Sequence, residues 1–260
     1  MHPVALSIAG SDPSGGAGLQ ADLKTFQAFD VYGLSVVTLL TTQNTTRDGM
    51  TEPVPQTLVE AQLDSVTADI PPHAAKTGAL GTCATVELVT NWAGRTDIPL
   101  VVDPVMVSTR GGQLLSVDAR TILIQKLIPN ALLVTPNLDE VREIIGTPVD
   151  DVEQMEKAAR LIAQSGCKGV LVKGGHLTGE PIDVLWWDGR IERFSGERVI
   201  SGHTHGTGCT YSAAITAELA KGCSMVDAVG SAKLYVTDAI RNAPKLGQGA
   251  GPLNHGVDIA

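Results

Sequence analysis

The sequence predicts a three-layer α/β/α sandwich with a mostly parallel central sheet and a small antiparallel edge. Short runs rich in Val, Leu and Ile recur at Val4–Ala9, Leu34–Thr41, Leu100–Val102, Leu132–Thr135 and Gly169–Lys173. They are apolar without strict alternation, the pattern of strands covered on both faces. Segments of helical spacing fall between or beside them, at Leu19–Phe29, Thr57–Thr67, Ala84–Trp92, Ala119–Leu127 and Val152–Gln164. Such interleaving of strands and helices builds a parallel sheet with helices on both sides. One segment breaks the rhythm: Asp183–Ser195 reads as two arms around Asp188-Gly189, a dipeptide suited to a tight hairpin, with Trp186 and Trp187 on the first arm. This hairpin forms the expected antiparallel edge.

In open sheets of this kind ligands collect beyond the carboxyl ends of the strands, so each strand-to-helix junction is a candidate site. The first strand runs into Gly10-Ser11-Asp12-Pro13-Ser14-Gly15-Gly16-Ala17-Gly18, followed by Gln20, Ala21 and Asp22 on the first helix. The glycine spacing is not GxGxxG, and Gly16 stands where a P-loop requires lysine, so both familiar nucleotide motifs fail. The loop suits a wall or lid over a small substrate; a tight turn needing positive φ is the competing reading. The second long strand ends in Thr41-Thr42-Gln43-Asn44-Thr45. The Gln43 amide offers an acceptor and two donors, enough to pair with a ring nitrogen and its neighbouring amine, although such a segment also serves as a self-capped strand end.

Carboxylates follow the next two strands, in Asp103-Pro104-Val105-Met106 and Thr135-Pro136-Asn137-Leu138-Asp139-Glu140. Asp103, Asn137 and Glu140 are candidate magnesium ligands, since that ion takes hard oxygens from one or two carboxylates together with phosphates. Thr135–Glu140 reads equally as a helix start, with Asn137 as cap and Glu140 in the box position. The last junction, His203-Thr204-His205-Gly206-Thr207-Gly208-Cys209-Thr210, opens the apolar helix Tyr211–Ala220. Free amides at Gly206, Gly208 and Cys209 would form an anion cradle where the helix dipole favours negative charge. The same position is expected to lower the Cys209 pKa and make its thiolate a base for a substrate hydroxyl. A zinc site built on His203, His205 and Cys209 lacks a fourth ligand. The helix Met225–Arg241 covers the sheet, and the glycine-rich stretch Gly247–Gly256 is the expected loose end.

Length and composition bound the rest. A chain of 260 residues, 43% hydrophobic, can bury one large core, and residues 1–260 are read as a single domain. A formal charge of −9 with no basic run disfavours nucleic acid. No stretch approaches the roughly 18 apolar residues of a membrane span, and the start carries no secretory pattern, so a cytoplasmic protein without a membrane partner is expected. Cys83, Cys167, Cys209 and Cys223 form no CxxC pair, which fits a reducing compartment.

The segments "ALSIAGSDPSGGAGLQADLKTFQAFDVYGLSVVT", "TTQNT", "KTGALG", "VVDPVMVSTRGG", "TPNLDE", "VLVKGGH", "THGTGCTYSAAI" and "GPLNH", in this order and nearly end to end, resemble the hydroxymethylpyrimidine/phosphomethylpyrimidine kinase family. The resemblance implies a ribokinase-like fold, a homodimer, and two successive transfers from ATP with magnesium. The first goes to the hydroxymethyl group of 4-amino-5-hydroxymethyl-2-methylpyrimidine and the second to its monophosphate, for thiamine synthesis. By position, Gly10, Ala17, Asp22 and Gln43 match the pyrimidine pocket, with Val107 and Cys209 on its inner side. Lys173 and the Gly206–Gly208 loop, including Thr207, match phosphate-contacting positions. Cys209 replaces the aspartate of sugar kinases in the wider superfamily, which argues against a sugar substrate. Ala79 and Thr41 depart from the larger apolar residue and the valine often found at their positions, and both changes would widen the pocket. The rival readings are a pyridoxal kinase of the same lineage and a non-catalytic pyrimidine-binding protein. A dinucleotide oxidoreductase is disfavoured by the glycine spacing of the first loop.

Overall fold

A computed structural model describes residues 2–108, 111–175 and 177–259. Thr109, Arg110 and His176, which fall within two of the family-like segments, lie outside the described residues. The elements run β1 (Val4–Ser11), α1 (Gly18–Ala28), β2 (Tyr32–Thr41), β3 (Thr51–Pro53), α2 (Gln56–Asp69), β4 (Ala74–Thr77), α3 (Cys83–Ala93) and β5 (Leu100–Val102). They continue with α4 (Val117–Ile122), β6 (Leu133–Val134), α5 (Leu138–Ile145), α6 (Val152–Ala163), β7 (Gly169–Val172), β8 (Asp183–Trp187), β9 (Arg190–Phe194), α7 (Thr207–Ala220) and α8 (Met225–Arg241). The helical segment expected to reach Leu127 leaves α-geometry at Leu123, passes through a π turn to Leu127, and closes in a 3-10 turn containing Pro129.

Nine strands form one sheet in the order β3-β2-β1-β4-β5-β6-β7-β8-β9. Strands β2, β1, β4, β5, β6 and β7 are parallel neighbours, while β3, β8 and β9 are antiparallel edges. The β8–β9 turn places Asp188 at φ 49° and Gly189 at φ 76°, the two left-handed residues of a type I′ turn. Because side chains alternate across a strand, the sheet has two apolar faces. Leu6, Ile8, Ala75, Val102, Val134 and Val170 pack under α2 to α6, and Ala5, Ala74, Val101, Leu133 and Leu171 pack under α1, α7 and α8.

Two strands escape the sequence pattern. β3 spans three residues at the edge, and β4 reads Ala-Ala-Lys-Thr, in which Lys76 interrupts an otherwise apolar run. Lys76 is nonetheless fully buried and ion-paired with Asp22 of α1 at 2.7 Å. Since β2 follows β1 on one side and β4 lies on the other, the sheet changes direction of winding between β1 and β4. The carboxyl ends of those strands are where an open sheet leaves a crevice.

The glycine-rich stretch Gly247–Gly256 is not a loose end. Pro252 forms a bridge with His205, Leu253 and His255 are buried, and the Asn254 amide donates to Ala239 O at 3.0 Å. Tyr235 Oη donates to His255 O at 2.8 Å, tying the segment to α8. Glycine content at this point reflects close packing: a side chain on Gly251 would run into the His203 ring.

Candidate active site

A cavity of about 950 Å³ opens over the carboxyl ends of β1, β2, β4, β5, β6 and β7 and the start of α7. Gly10, Ala17, Gln43 and Val107 line it together with Lys173, Gly206, Thr207, Gly208 and Cys209, and Asp103, Asn137 and Glu140 line the same cavity. Thr41 and Ala79 also face this space; the Thr41 hydroxyl donates to Ser11 O at 3.1 Å, which ties it to the first loop.

The first loop is built around Asp12, a side chain only 2% exposed. Its Oδ1 accepts the Ser14 amide at 2.9 Å, and its Oδ2 accepts the Gly16 and Ala17 amides at 3.2 and 2.9 Å. Gln20 Oε1 accepts the Asp12 amide at 2.8 Å. Burial alone would raise the Asp12 pKa, but hydrogen bonds from His205, Ser14 and Gln43 outweigh it and hold the carboxyl well below the usual range. The loop is therefore folded on an ionised carboxylate.

The start of α7 has the shape of an anion cradle. Gly206 caps the helix at φ 85°, a left-handed conformation, and its α-carbon lies so close to Gly16 O that no side chain fits. The Thr207 and Thr210 amides are spent on Thr204 O and Gly206 O, whereas those of Gly206, Gly208 and Cys209 have no backbone acceptor among the described residues. A β-carbon on Gly208 would stand 3.3 Å from Lys173 Nζ and 3.8 Å from Asp103 Oδ2, so a lysine and a helix N-terminus converge on one point.

Charges alternate behind this point. Lys173 Nζ donates to Asp103 Oδ1 at 3.0 Å, Thr135 Oγ1 donates to the same oxygen at 3.2 Å, and Ser212 Oγ donates to Oδ2 at 3.1 Å. Burial would raise Asp103, but Lys173 and Lys76 bring its pKa down. Burial works against the Lys76 charge, yet the Asp22 carboxylate first and Asp103 beside it raise its pKa and keep the ammonium. Glu140 is pushed up to about 7 by burial, which Lys173 only partly offsets.

Several sequence expectations need correction. Asp22 does not reach the cavity: it is fully buried behind Lys76, and its Oδ2 accepts from Ser7 Oγ at 2.5 Å. Lys76, which the strand pattern concealed, lines the cavity instead. Cys209 departs from the expected lowered pKa: burial pushes it up to about 11, and the neighbouring Lys76 ammonium recovers only part of the shift. Asn137 and Glu140 form a reciprocal capping box on α5: Asn137 Oδ1 accepts the Glu140 amide at 2.9 Å and Glu140 Oε2 accepts the Asn137 amide at 2.8 Å. No group of three His, Cys, Asp or Glu side chains among the described residues is placed to hold a metal, so His203, His205 and Cys209 do not form a zinc set. Besides Lys76, sequence reasoning overlooked Asp12 and the use made of His205. Asp12 stood in the quoted loop, but nothing in its spacing told that the loop folds around it.

The chain matches the sequence profile of the family described as phosphomethylpyrimidine kinase over residues 12–254. A hydroxymethylpyrimidine/phosphomethylpyrimidine kinase of Staphylococcus aureus (strain MSSA476) is 44% identical over 256 residues, covering 97% of this chain and 93% of the relative. Among solved structures, the ADP complex of Bacillus subtilis pyridoxal kinase superposes with a TM-score of 0.91 at 37% identity, with 98% of each chain covered. The phosphomethylpyrimidine kinase of Clostridium difficile 630 superposes with a TM-score of 0.82 at 41% identity, covering 92% of this chain and 99% of that one.

Proposed function

The chain belongs to the phosphomethylpyrimidine kinase family, and on that premise we propose that it transfers phosphoryl groups from ATP twice in thiamine synthesis. The first acceptor is the hydroxymethyl group of 4-amino-5-hydroxymethyl-2-methylpyrimidine and the second is the resulting monophosphate. The observation that carries this reading is the meeting, in one cavity, of a hydrogen-bonding wall around Gly10, Ala17 and Gln43 with the amide cradle and Lys173. The wall suits a small heteroaromatic ring and the cradle a moving phosphoryl group.

Phosphoryl transfer asks the protein chiefly for positioning and charge neutralisation. Gln43 fixes the ring, with Val107 at the inner side, and the Gly206, Gly208 and Cys209 amides stabilise the equatorial oxygens as charge redistributes. Lys173 neutralises the triphosphate beside Thr207. With its pKa near 11 the Cys209 thiol keeps its proton at neutral pH, so it shapes the pocket beneath the hydroxyl rather than drawing the proton from it at rest. Magnesium fits the carboxylates as an ion held mainly by phosphate oxygens and water. Asp103 would contribute from an already bonded carboxylate, and Glu140 through Oε1, the oxygen not used in the cap. Bound there, the ion would supply charge neutralisation of the phosphates. Asn137, its side-chain oxygen committed to the helix, would hold the Glu140 backbone in place rather than bind metal.

A single kinase domain over residues 1–260, a homodimer and a cytoplasmic location complete the proposal; light scattering should return twice 27.1 kDa for the dimer. No described helix is long and apolar enough to cross a membrane. The decisive experiment incubates the protein with ATP, magnesium and the pyrimidine alcohol and records the product by mass spectrometry. Monophosphate followed by diphosphate is expected. No phosphorylated pyrimidine, or faster turnover of pyridoxal than of the pyrimidine alcohol, would overturn the assignment.

A further inference from the structure

His205 belongs to the cradle segment, yet its side chain turns away from α7 and reaches the first loop. Its Nε2 lies 2.9 Å from Asp12 Oδ2, the oxygen that also accepts the Gly16 and Ala17 amides. The backbone follows the same route. A β-carbon on Gly16 would meet His205 Cδ2 at 2.8 Å and Pro252 Cβ at 3.0 Å, and Gly206 packs on Gly16 O without room for a side chain. On its other side the His205 amide donates to Gly251 O at 3.1 Å. One residue thus joins three pieces of chain far apart in sequence, its ring reaching the loop after β1 and its backbone amide the segment around Pro252, while it sits itself at the start of α7.

We propose that the His205–Asp12 pair is a positioning clasp that sets the pyrimidine wall at a fixed distance from the phosphoryl cradle. The proposal deepens the kinase reading and rests on it for its catalytic consequence, while the mechanical link stands on the geometry alone. Gly10 and Ala17, which the kinase reading sets beside the acceptor, and Gly208, which it sets beside the donor, line one cavity from two different loops. In-line transfer requires acceptor oxygen and phosphorus within about 3 to 3.5 Å, and displacement of one loop by about 1 Å can cost 10²-fold in rate. Helices α1 and α7, which follow the two loops, pack on each other, and the clasp ties the loops themselves above that base. The clasp places a charged, desolvated hydrogen bond between them, the stronger class of such bonds. Neither residue need touch a ligand to act in this way.

The test compares His205→Leu, His205→Gln and Asp12→Asn with the parent protein. Hydrogen exchange on the ligand-free protein comes first. Both segments, 11–17 and 204–209, are expected to exchange faster in His205→Leu and in Asp12→Asn, and His205→Gln, whose amide nitrogen can reach the place of Nε2, should restore protection. Faster exchange confined to the loop that carries the substitution overturns the clasp. With ATP and the pyrimidine alcohol, His205→Leu should lose at least 10-fold in kcat with KM for ATP changed less than twofold. The fraction of ATP hydrolysed without product should also rise. A KM for ATP that rises and a melting temperature that falls in parallel with the loss of kcat, or a kcat within threefold of the parent, overturn the positioning role. A parent protein that phosphorylates no pyrimidine refutes the kinase reading instead, and leaves the exchange result to decide the clasp.

Discussion

Gln43 and Cys209 face the same cavity with opposite prospects on mutation. Gln43 carries the hydrogen-bonding groups that suit an aminopyrimidine, and a buried ring amine deprived of its partner costs about 1–3 kcal/mol. Gln43→Ala should therefore raise KM for the pyrimidine by roughly 5- to 150-fold, with KM for ATP unchanged. Equal losses for the two ligands would take Gln43 out of the substrate pocket. For Cys209 the structure reverses the sequence argument. A helix N-terminus lowers a thiol pKa, but burial raises it, and the second effect wins at about 11. Cys209→Ser is thus expected to slow both transfers by the same modest factor, less than about 10-fold, since general-base loss typically costs 10²–10⁴. Selective loss of the first transfer would restore the thiol as a base. The protonation state can be checked directly: Cys209 alkylation should be slow at pH 7 and rise about tenfold per pH unit towards its pKa, because only the thiolate reacts. Residue types and their junctions were legible at this scale, but degree of burial was not, and burial decided the chemistry.

At the scale of elements, the start of α7 makes the sharpest demand. Gly208→Val would place a branched side chain 3.3 Å from Lys173 Nζ, where the cradle should receive a phosphoryl group. Transfer should fall below detection while stability shifts by no more than about 1 kcal/mol, since valine is tolerated in a helix as well as glycine. Wild-type turnover in this variant would reduce the loop to a helix start. Helices α1, α2, α3, α6, α7 and α8 and the β8–β9 hairpin were readable because apolar spacing and turn chemistry agree there with the final fold. β4 was not, for a physical reason: Lys76 in Ala-Ala-Lys-Thr looks like a solvent residue until Asp22 is found 2.7 Å away on α1. The partner lies 54 positions earlier, and strand pattern contains no record of it. Likewise Asn137 and Glu140 were equally compatible with a cap and with a metal shell, and only the two reciprocal hydrogen bonds show how their oxygens are spent.

Across the whole molecule, the ion pair between α1 and β4 links a helical layer to the sheet beneath the cavity. Breaking a buried pair leaves one uncompensated charge at about 3–5 kcal/mol, whereas replacing both partners with apolar residues is often neutral. Lys76→Met should consequently lose several kcal/mol in urea unfolding, and Lys76→Met with Asp22→Leu should recover most of it. A double variant as unstable as the single would show that Lys76 matters through packing rather than charge. The α/β/α layering was legible from the alternation of apolar runs and helices, because burial of both sheet faces imposes it. The docking of the stretch around Pro252 was not, since glycine-rich composition reads as slack wherever its neighbours are unknown. That stretch has a consequence for biosynthesis. Gly251, Pro252 and Leu253 back the His205 segment, so a nascent chain still on the ribosome, with residues beyond 250 not yet emerged, cannot assemble the finished crevice. A ribosome stalled before residues 251–253 emerge would display the sheet with the cradle segment unbacked.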